Sequence, residues 1–332
     1  MKLHLSFFVA LGGFIGSFLL LRGTFLGAVG SYSGTDERSR NLANVVPSKL
    51  TTIPRDDFLF LKVGKAGGGT VKAHLEAFWS MQVKSCHPWP CPHKISSAGQ
   101  DGGLGLMALS VRDPIDRFVS GFYFRALRLK ENCPDEKSCS DDDFWPQTTE
   151  KGVIFDKHGE DVNSLAEALC EDGPGGRRGS EAAREDAKAI LHVAWTLNDW
   201  VEGIDWSLKT RDVFPLVQEP GFSLEDEIDA MVEWMNKRSA LNSLSGFAAQ
   251  RDLALKLADD ETLRRSLASP RFRHYSESAS KTPLSSRGEE CLARYFKKDY
   301  ELLRRKVKPA CKTEVCKKAV QSILSRREHL LV

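Results

Sequence analysis

Two segments of this chain place a cation and a hydroxyl where a strand turns into a helix: Phe58-Leu-Phe-Leu-Lys-Val-Gly-Lys-Ala-Gly-Gly-Gly-Thr-Val71 and Leu109-Ser-Val-Arg-Asp-Pro-Ile-Asp-Arg-Phe-Val-Ser120. The first turn of a helix has N–H groups without internal acceptors and a partial positive charge, so it seats anions, phosphates above all. Two such seats predict a ligand carrying phosphate at two separate positions.

In the first segment, glycines 64 and 67–69 let the backbone curl around an anion with several N–H groups turned inward. Lys65 adds an ammonium and Thr70 a hydroxyl. The nucleoside-triphosphate loop, Gly-x-x-x-x-Gly-Lys-Ser/Thr, does not fit: Ala66 follows Gly64-Lys65, and the remaining glycines come after the lysine. In the second segment Asp113-Pro114 predicts a helix opening, with an N-cap acceptor and a proline at the first helical position. Arg112 supplies a planar guanidinium suited to phosphate. Arg117 reads as a structural residue, salt-bridged at the surface, and His74 as a helix-surface residue.

Gly64-Lys-Ala-Gly-Gly-Gly-Thr-Val71 resembles the 5′-phosphosulfate loop of carbohydrate sulfotransferases, and Val111-Arg-Asp-Pro-Ile-Asp-Arg-Phe-Val-Ser-Gly-Phe-Tyr-Phe124 is similar to that family's 3′-phosphate element. The closest likeness is to the Golgi heparan-sulfate 2-O-sulfotransferases and related uronyl enzymes. Phe272-Arg-His-Tyr-Ser-Glu-Ser-Ala-Ser-Lys-Thr-Pro283 resembles the cofactor-closing loop, and residues 292–303 the final helix. Gly64 stands where the family usually has proline, and Gly69 where it often has threonine or serine. The resemblance implies a P-loop-like α/β fold with a central parallel sheet flanked by helices. It also implies 3′-phosphoadenosine 5′-phosphosulfate as co-substrate and a glycan hydroxyl as acceptor. Lys65, Ala66, Gly67, Gly68, Gly69 and Thr70 would hold the 5′ end, Arg112 and Ser120 the 3′-phosphate, and Ser278 and Lys281 would close over the donor. Lys65 would also neutralise the departing bridging oxygen, where charge builds during in-line transfer. Lysine, arginine and helix ends supply the positive charge that kinases take from magnesium, so no metal is expected.

Related enzymes take the acceptor proton with a histidine or glutamate between the two phosphate elements. Ser85-Cys-His-Pro-Trp-Pro-Cys-Pro-His-Lys94 offers two imidazoles, groups suited to this near neutral pH. His93 is the first choice as general base, because it directly precedes the run into the second strand, where the 2-O-sulfotransferases it resembles carry a Gly-His motif. His87 and Glu76 are the alternates.

Cys86, His87, Cys91 and His93 invite a zinc reading, but their spacing is too compressed for paired ligands. A local Cys86–Cys91 disulfide fits better. Cys133 with Cys139 and Cys311 with Cys316 are further short-range pairs, leaving Cys170 and Cys291 for a long-range bridge. Eight cysteines in such pairs point to an oxidising compartment.

The elements that must position these groups begin after an N-terminal leader. A short tail, residues 1–4, precedes the apolar run 5–29, which reads as an uncleaved signal anchor of a single-pass type II Golgi membrane protein with its catalytic domain lumenal. A cleaved secretory signal is the alternative. Residues 30–55 read as a polar stem, 56–305 as the catalytic domain and 306–332 as a basic tail with no assigned chemistry. Strands are predicted near Phe58, Leu106 and 213–217. A helix over 223–234 has Ser223 as cap and Ile228, Met231, Val232 and Met235 as its buried stripe. Residues 173–179 read as a loop. Of Trp195, Trp200 and Trp206, at least two read as core rather than as a sugar platform.

Lys plus Arg number 47 and Asp plus Glu 45, so no global charge draws the chain to nucleic acid or other polyanions. Local clusters such as Arg125, Arg128 and Lys130 suit either an acidic glycan or a solvated helix face. Two other function classes compete with sulfuryl transfer. One is a nucleoside-triphosphate-dependent kinase. The other is a non-catalytic lumenal protein that binds 3′-phosphoadenosine 5′-phosphate or its phosphosulfate.

Overall fold

Four parallel strands form one sheet in the order β2-β1-β3-β4: β1 (Arg55–Leu61), β2 (Val83–Cys86), β3 (Leu106–Arg112) and β4 (Val213–Gln218). The computed structural model describes residues 55–79, 83–87, 90, 106–133, 146–172, 175–202, 204, 206, 212–238 and 282–331, all within the unit Thr51–Val332. Among them, six helices have ten residues or more: α1 (Gly68–Trp79), α2 (Pro114–Asn132), α3 (Gly176–Ala189), α4 (Leu224–Arg238), α5 (Ser286–Tyr295) and α6 (Glu314–Arg327).

Both faces of the sheet are buried, which is why its central strands are continuously apolar rather than alternating. Phe58, Phe60, Leu106, Ala108, Phe214 and Leu216 point to one face. There they meet Val71 and Leu75 of α1 and Ile228, Met231, Val232 and Met235 of α4. Leu59, Leu61, Met107, Leu109, Val111, Val213 and Val217 point to the other, against Phe118 and Phe122 of α2, Leu292 of α5, and Val320 and Ile323 of α6. The period-two side-chain alternation of each strand assigns its residues to the two layers.

Helix starts follow local chemistry. The Asp113 carboxylate accepts from the N–H groups of Ile115 and Asp116 at 2.8 and 3.2 Å, with Pro114 at the first position of α2. Ser223 Oγ accepts from Asp226 N–H at 3.2 Å ahead of α4, whose first turn carries Glu225, Asp226 and Glu227. The segment 173–179, expected as a loop, is helical from Gly176. Gly175 takes a positive φ of 92°, open to glycine at little cost, and the small residues that follow bury Ser180, Ala183 and Ala187.

The basic C-terminal segment is helical over Glu314–Arg327, and its Cys316, Ala319, Val320, Ile323 and Leu324 join the core. Disulfides join Cys170 to Cys291 and Cys311 to Cys316, as expected. Cys86 and Cys133 are also disulfide-bonded, to cysteines outside the described residues. The run 5–29 and the stem lie outside them as well. No helix among the described residues is long and apolar enough to cross a membrane.

Candidate functional site

The strand order fixes where a ligand can sit. From β1 the chain runs through α1 to β2 on one side, whereas β3 has β4 on its other side. Connections leaving neighbouring strands in opposite directions open a crevice at their carboxyl ends, the usual ligand site of such sheets. Here the crevice lies between the end of β1, which runs into Lys65, and the end of β3, which is Arg112. The two segments expected to bind anions therefore converge.

The loop after β1 is tightly built. Lys65 has φ 61° and Gly67 φ 75°, both left-handed, and a Cβ on Gly68 would stand 2.3 Å from Cγ of Lys62. Helix α1 opens at Gly68, and Val71 N–H donates to Gly67 O at 3.1 Å. The N–H groups of Gly68 and Gly69, at the opening of the first turn, consequently have no acceptor within the helix. Ala66 is buried, and Gly69 faces open space. Lys65 Nζ rests 4.0 Å from the centre of the Phe124 ring, a cation–π contact that holds the ammonium over α2.

Arg112 donates from NH1 to the Lys65 carbonyl at 3.3 Å, tying the end of β3 to the loop. Burial lowers the pKa of its guanidinium, with Asp116 and Asp113 acting against that. Ser120 is buried in α2. Gln218, the partner of Arg112 in the β3–β4 register, has a buried Oε1 without a hydrogen bond. That oxygen lies 3.1 Å from where a Cβ on Gly67 would stand.

Histidines gather on the other flank of the loop. His87, just past β2, makes a 3.3 Å hydrogen bond between Nδ1 and Lys62 O. A carbonyl can only accept, so Nδ1 carries the proton and Nε2 of the neutral ring carries the lone pair. His87 keeps an edge open to solvent. Even so, desolvation of the ring, followed by the Lys62 charge, brings its pKa down to about 4. Its ring stacks on His192, with centroids 5.4 Å apart and planes 20° apart.

His192 carried no signal in the sequence: Leu191-His-Val-Ala-Trp195 matches no motif, and its neighbours arrive from distant segments. It has φ 71°, its ring lies 5.5 Å from that of Phe124, and its Nδ1 is buried without a hydrogen bond. A Cβ on Gly64 would meet that Nδ1 at 2.8 Å, so glycine at this position leaves the room the imidazole occupies. Burial, with His87 and the cations Arg125, Lys65 and Arg117, pushes the His192 pKa well below its ordinary value.

Other expected residues fall differently. Arg117 is structural but buried rather than at the surface: it donates to the carbonyls of His192 at 3.3 Å and Trp195 at 2.7 Å, pinning the turn that carries His192. His74 is buried rather than on the helix surface, with Nε2 3.5 Å from Asp229. Trp200 and Trp206 are core residues. Arg125 makes a bidentate pair with buried Glu150 at 2.8 and 2.6 Å, while Arg128 and Lys130 pair with Glu131 and Glu160. Glu76 lies on α1. His93, Ser278 and Lys281 lie outside the described residues.

Behind the Arg112 turn stands a charged network the sequence did not announce. The Asp113 carboxylate, which caps α2, also accepts from Tyr300 Oη at 3.0 Å, Arg326 at 3.2 Å and Arg327 Nε at 2.9 Å. Arg327 pairs further with Asp116 at 2.9 Å and with Glu289, and Arg326 with Glu219 at 3.0 Å. The C-terminal helix thus holds the turn that aims Arg112. No cluster of metal-ligating side chains occurs among the described residues. Compared with protein-family models, curated proteins and solved structures, the chain matches none.

Proposed function

We propose that this chain transfers a sulfuryl group from 3′-phosphoadenosine 5′-phosphosulfate to a glycan hydroxyl, on a sulfotransferase-type variant of the parallel α/β fold. The observation that carries the reading is the convergence of two anion-binding turns at the strand switch point, joined by the Arg112–Lys65 hydrogen bond. A donor phosphorylated at both ends matches two seats. The glycine loop and the opening turn of α1 would receive the 5′-phosphate, and Arg112 with Ser120 the 3′-phosphate. Lys65 would leave its resting place on Phe124 and stabilise the bridging oxygen as the sulfur–oxygen bond to the phosphate breaks.

As the new sulfur–oxygen bond forms, the acceptor hydroxyl gives up its proton. Among the described histidines, His87 offers an unprotonated Nε2 beside the loop, in a ring that stays neutral at neutral pH. The buried Gln218 Oε1 next to Gly67 fits a hydroxyl or amino donor of the bound nucleotide. The N-terminal apolar run would anchor the catalytic domain in the Golgi membrane, facing the lumen.

Incubation of the full chain with radiolabelled donor and a panel of uronate-containing glycans, in chelator, tests the activity. Label should appear in glycan without any divalent metal, and Lys65→Ala should abolish it. Transfer from adenosine triphosphate with magnesium, and none from the phosphosulfate donor, would establish a kinase instead.

A further inference from the structure

We propose that His192 is a positioning residue for the proton-accepting imidazole of His87, which it stacks against and holds beside the anion loop; this rests on the sulfuryl-transfer reading of the site. The backbone around it is arranged to present the ring. His192 adopts a left-handed φ of 71°, unusual for a residue with a side chain, and buried Arg117 fixes its carbonyl. Gly64 leaves the space into which the ring fits, and Phe124 packs against it. An imidazole used only as packing would be an odd choice, because its buried Nδ1 has no partner and a hydrocarbon would fill the same space without that loss.

The surroundings explain what the ring does. His87 faces Lys62 and Lys72, and His192 faces Lys65, Arg117 and Arg125, all cations. Glu150, which accepts from the N–H of Leu191 beside this turn, is paired with Arg125. At rest a proton on either ring is therefore opposed by charge as well as by desolvation, so both rings start neutral, the form a proton acceptor needs. The stack orients His87 so that Nδ1–H is directed to Lys62 O, leaving Nε2 for the acceptor proton. His192 gives up no proton itself in this scheme.

The test uses the full chain, labelled on histidine, in three forms: wild type, His192→Ala and His192→Phe. Phenylalanine keeps a flat ring in the stack and gives up no hydrogen bond. The His87 resonance, followed by NMR, should titrate at about 4 in wild type and His192→Phe, and at least about one unit higher in His192→Ala, where water reaches the ring. Turnover should fall at least tenfold in His192→Ala, with the affinity for 3′-phosphoadenosine 5′-phosphate unchanged, and by less than about threefold in His192→Phe. An unchanged His87 midpoint in His192→Ala overturns the assignment. So does a His192→Phe variant as slow as His192→Ala, which would make His192 a proton carrier. The titration needs neither donor nor acceptor, so its failure is distinct from a failure of donor binding, which would overturn the sulfuryl-transfer reading and the positioning role together.

Discussion

Arg112 NH1 donates to the carbonyl of Lys65, two residues that the chain separates and the sheet switch point brings to 3.3 Å. The bond holds the loop in a shape that costs conformational energy, because Lys65 sits at φ 61°. For a residue with a Cβ this costs about 1–2 kcal/mol, and for glycine almost nothing. The proposed chemistry needs the Lys65 ammonium at this position, which glycine could not supply.

Lys65→Gly and Lys65→Ala should accordingly part company. Both should abolish the proposed sulfuryl transfer, but Lys65→Gly should be more stable than Lys65→Ala by about 1 kcal/mol, since only alanine retains the strain. Paired urea unfolding curves measure the difference. Equal midpoints would mean that the loop relaxes once the lysine side chain is gone.

Arg327 and Arg326 should behave unequally although adjacent. The Arg327 side chain is 8% exposed and serves Asp113, Asp116 and Glu289, whereas that of Arg326 is 37% exposed. Arg327→Ala leaves the buried Asp113 carboxylate only Tyr300 and the more exposed Arg326 as side-chain partners and should cost about 3 kcal/mol. Arg326→Ala removes a more solvated group but takes the ion-pair partner from buried Glu219, which keeps the Ser322 hydroxyl, and should cost less, about 1–2 kcal/mol. Chemical denaturation of the two variants checks the order.

Much of this framework was legible in the sequence. The runs around Phe58, Leu106 and Val213 are apolar because each strand is buried on both faces, and the stripe Ile228, Met231, Val232, Met235 follows helical spacing onto one of them. Asp113-Pro114 reads as a cap from its chemistry alone. β2, Val83–Cys86, escaped notice because four mixed residues carry no period. His192, and the approach of Arg326 and Arg327 to Asp113, depend on contacts between distant segments that no local pattern encodes. His74 was misread because a lone polar residue on a helix gives no sign that Asp229 will face it.

The two histidines give stability a defined pH dependence. The pKa of His87 is lowered in the folded chain from 6.5 to about 4, and that of His192 is lowered too. Between those values the unfolded chain binds more protons than the folded one. The stabilisation is therefore complete above pH 6.5 and is lost as pH falls toward 4. His87→Gln should flatten the dependence of melting temperature on pH across that window. A slope identical to wild type would mean that His87 titrates normally.

The Cys170–Cys291 bridge closes a separation of 121 residues and the Cys311–Cys316 bridge only 5. Loop-closure entropy makes the long bridge the more stabilising, at up to about 4–5 kcal/mol. Replacing both members of each pair by serine, one pair at a time, should lower the thermal midpoint more for the long-range pair.

The most direct test of the proposed donor site is a calorimetric titration of the full chain with 3′-phosphoadenosine 5′-phosphate in chelator, in wild type and Arg112→Ala. The account predicts metal-independent binding that weakens by about 10- to 100-fold when the guanidinium is removed. Equal affinity in the two proteins, or binding only of adenosine triphosphate with magnesium, would contradict it.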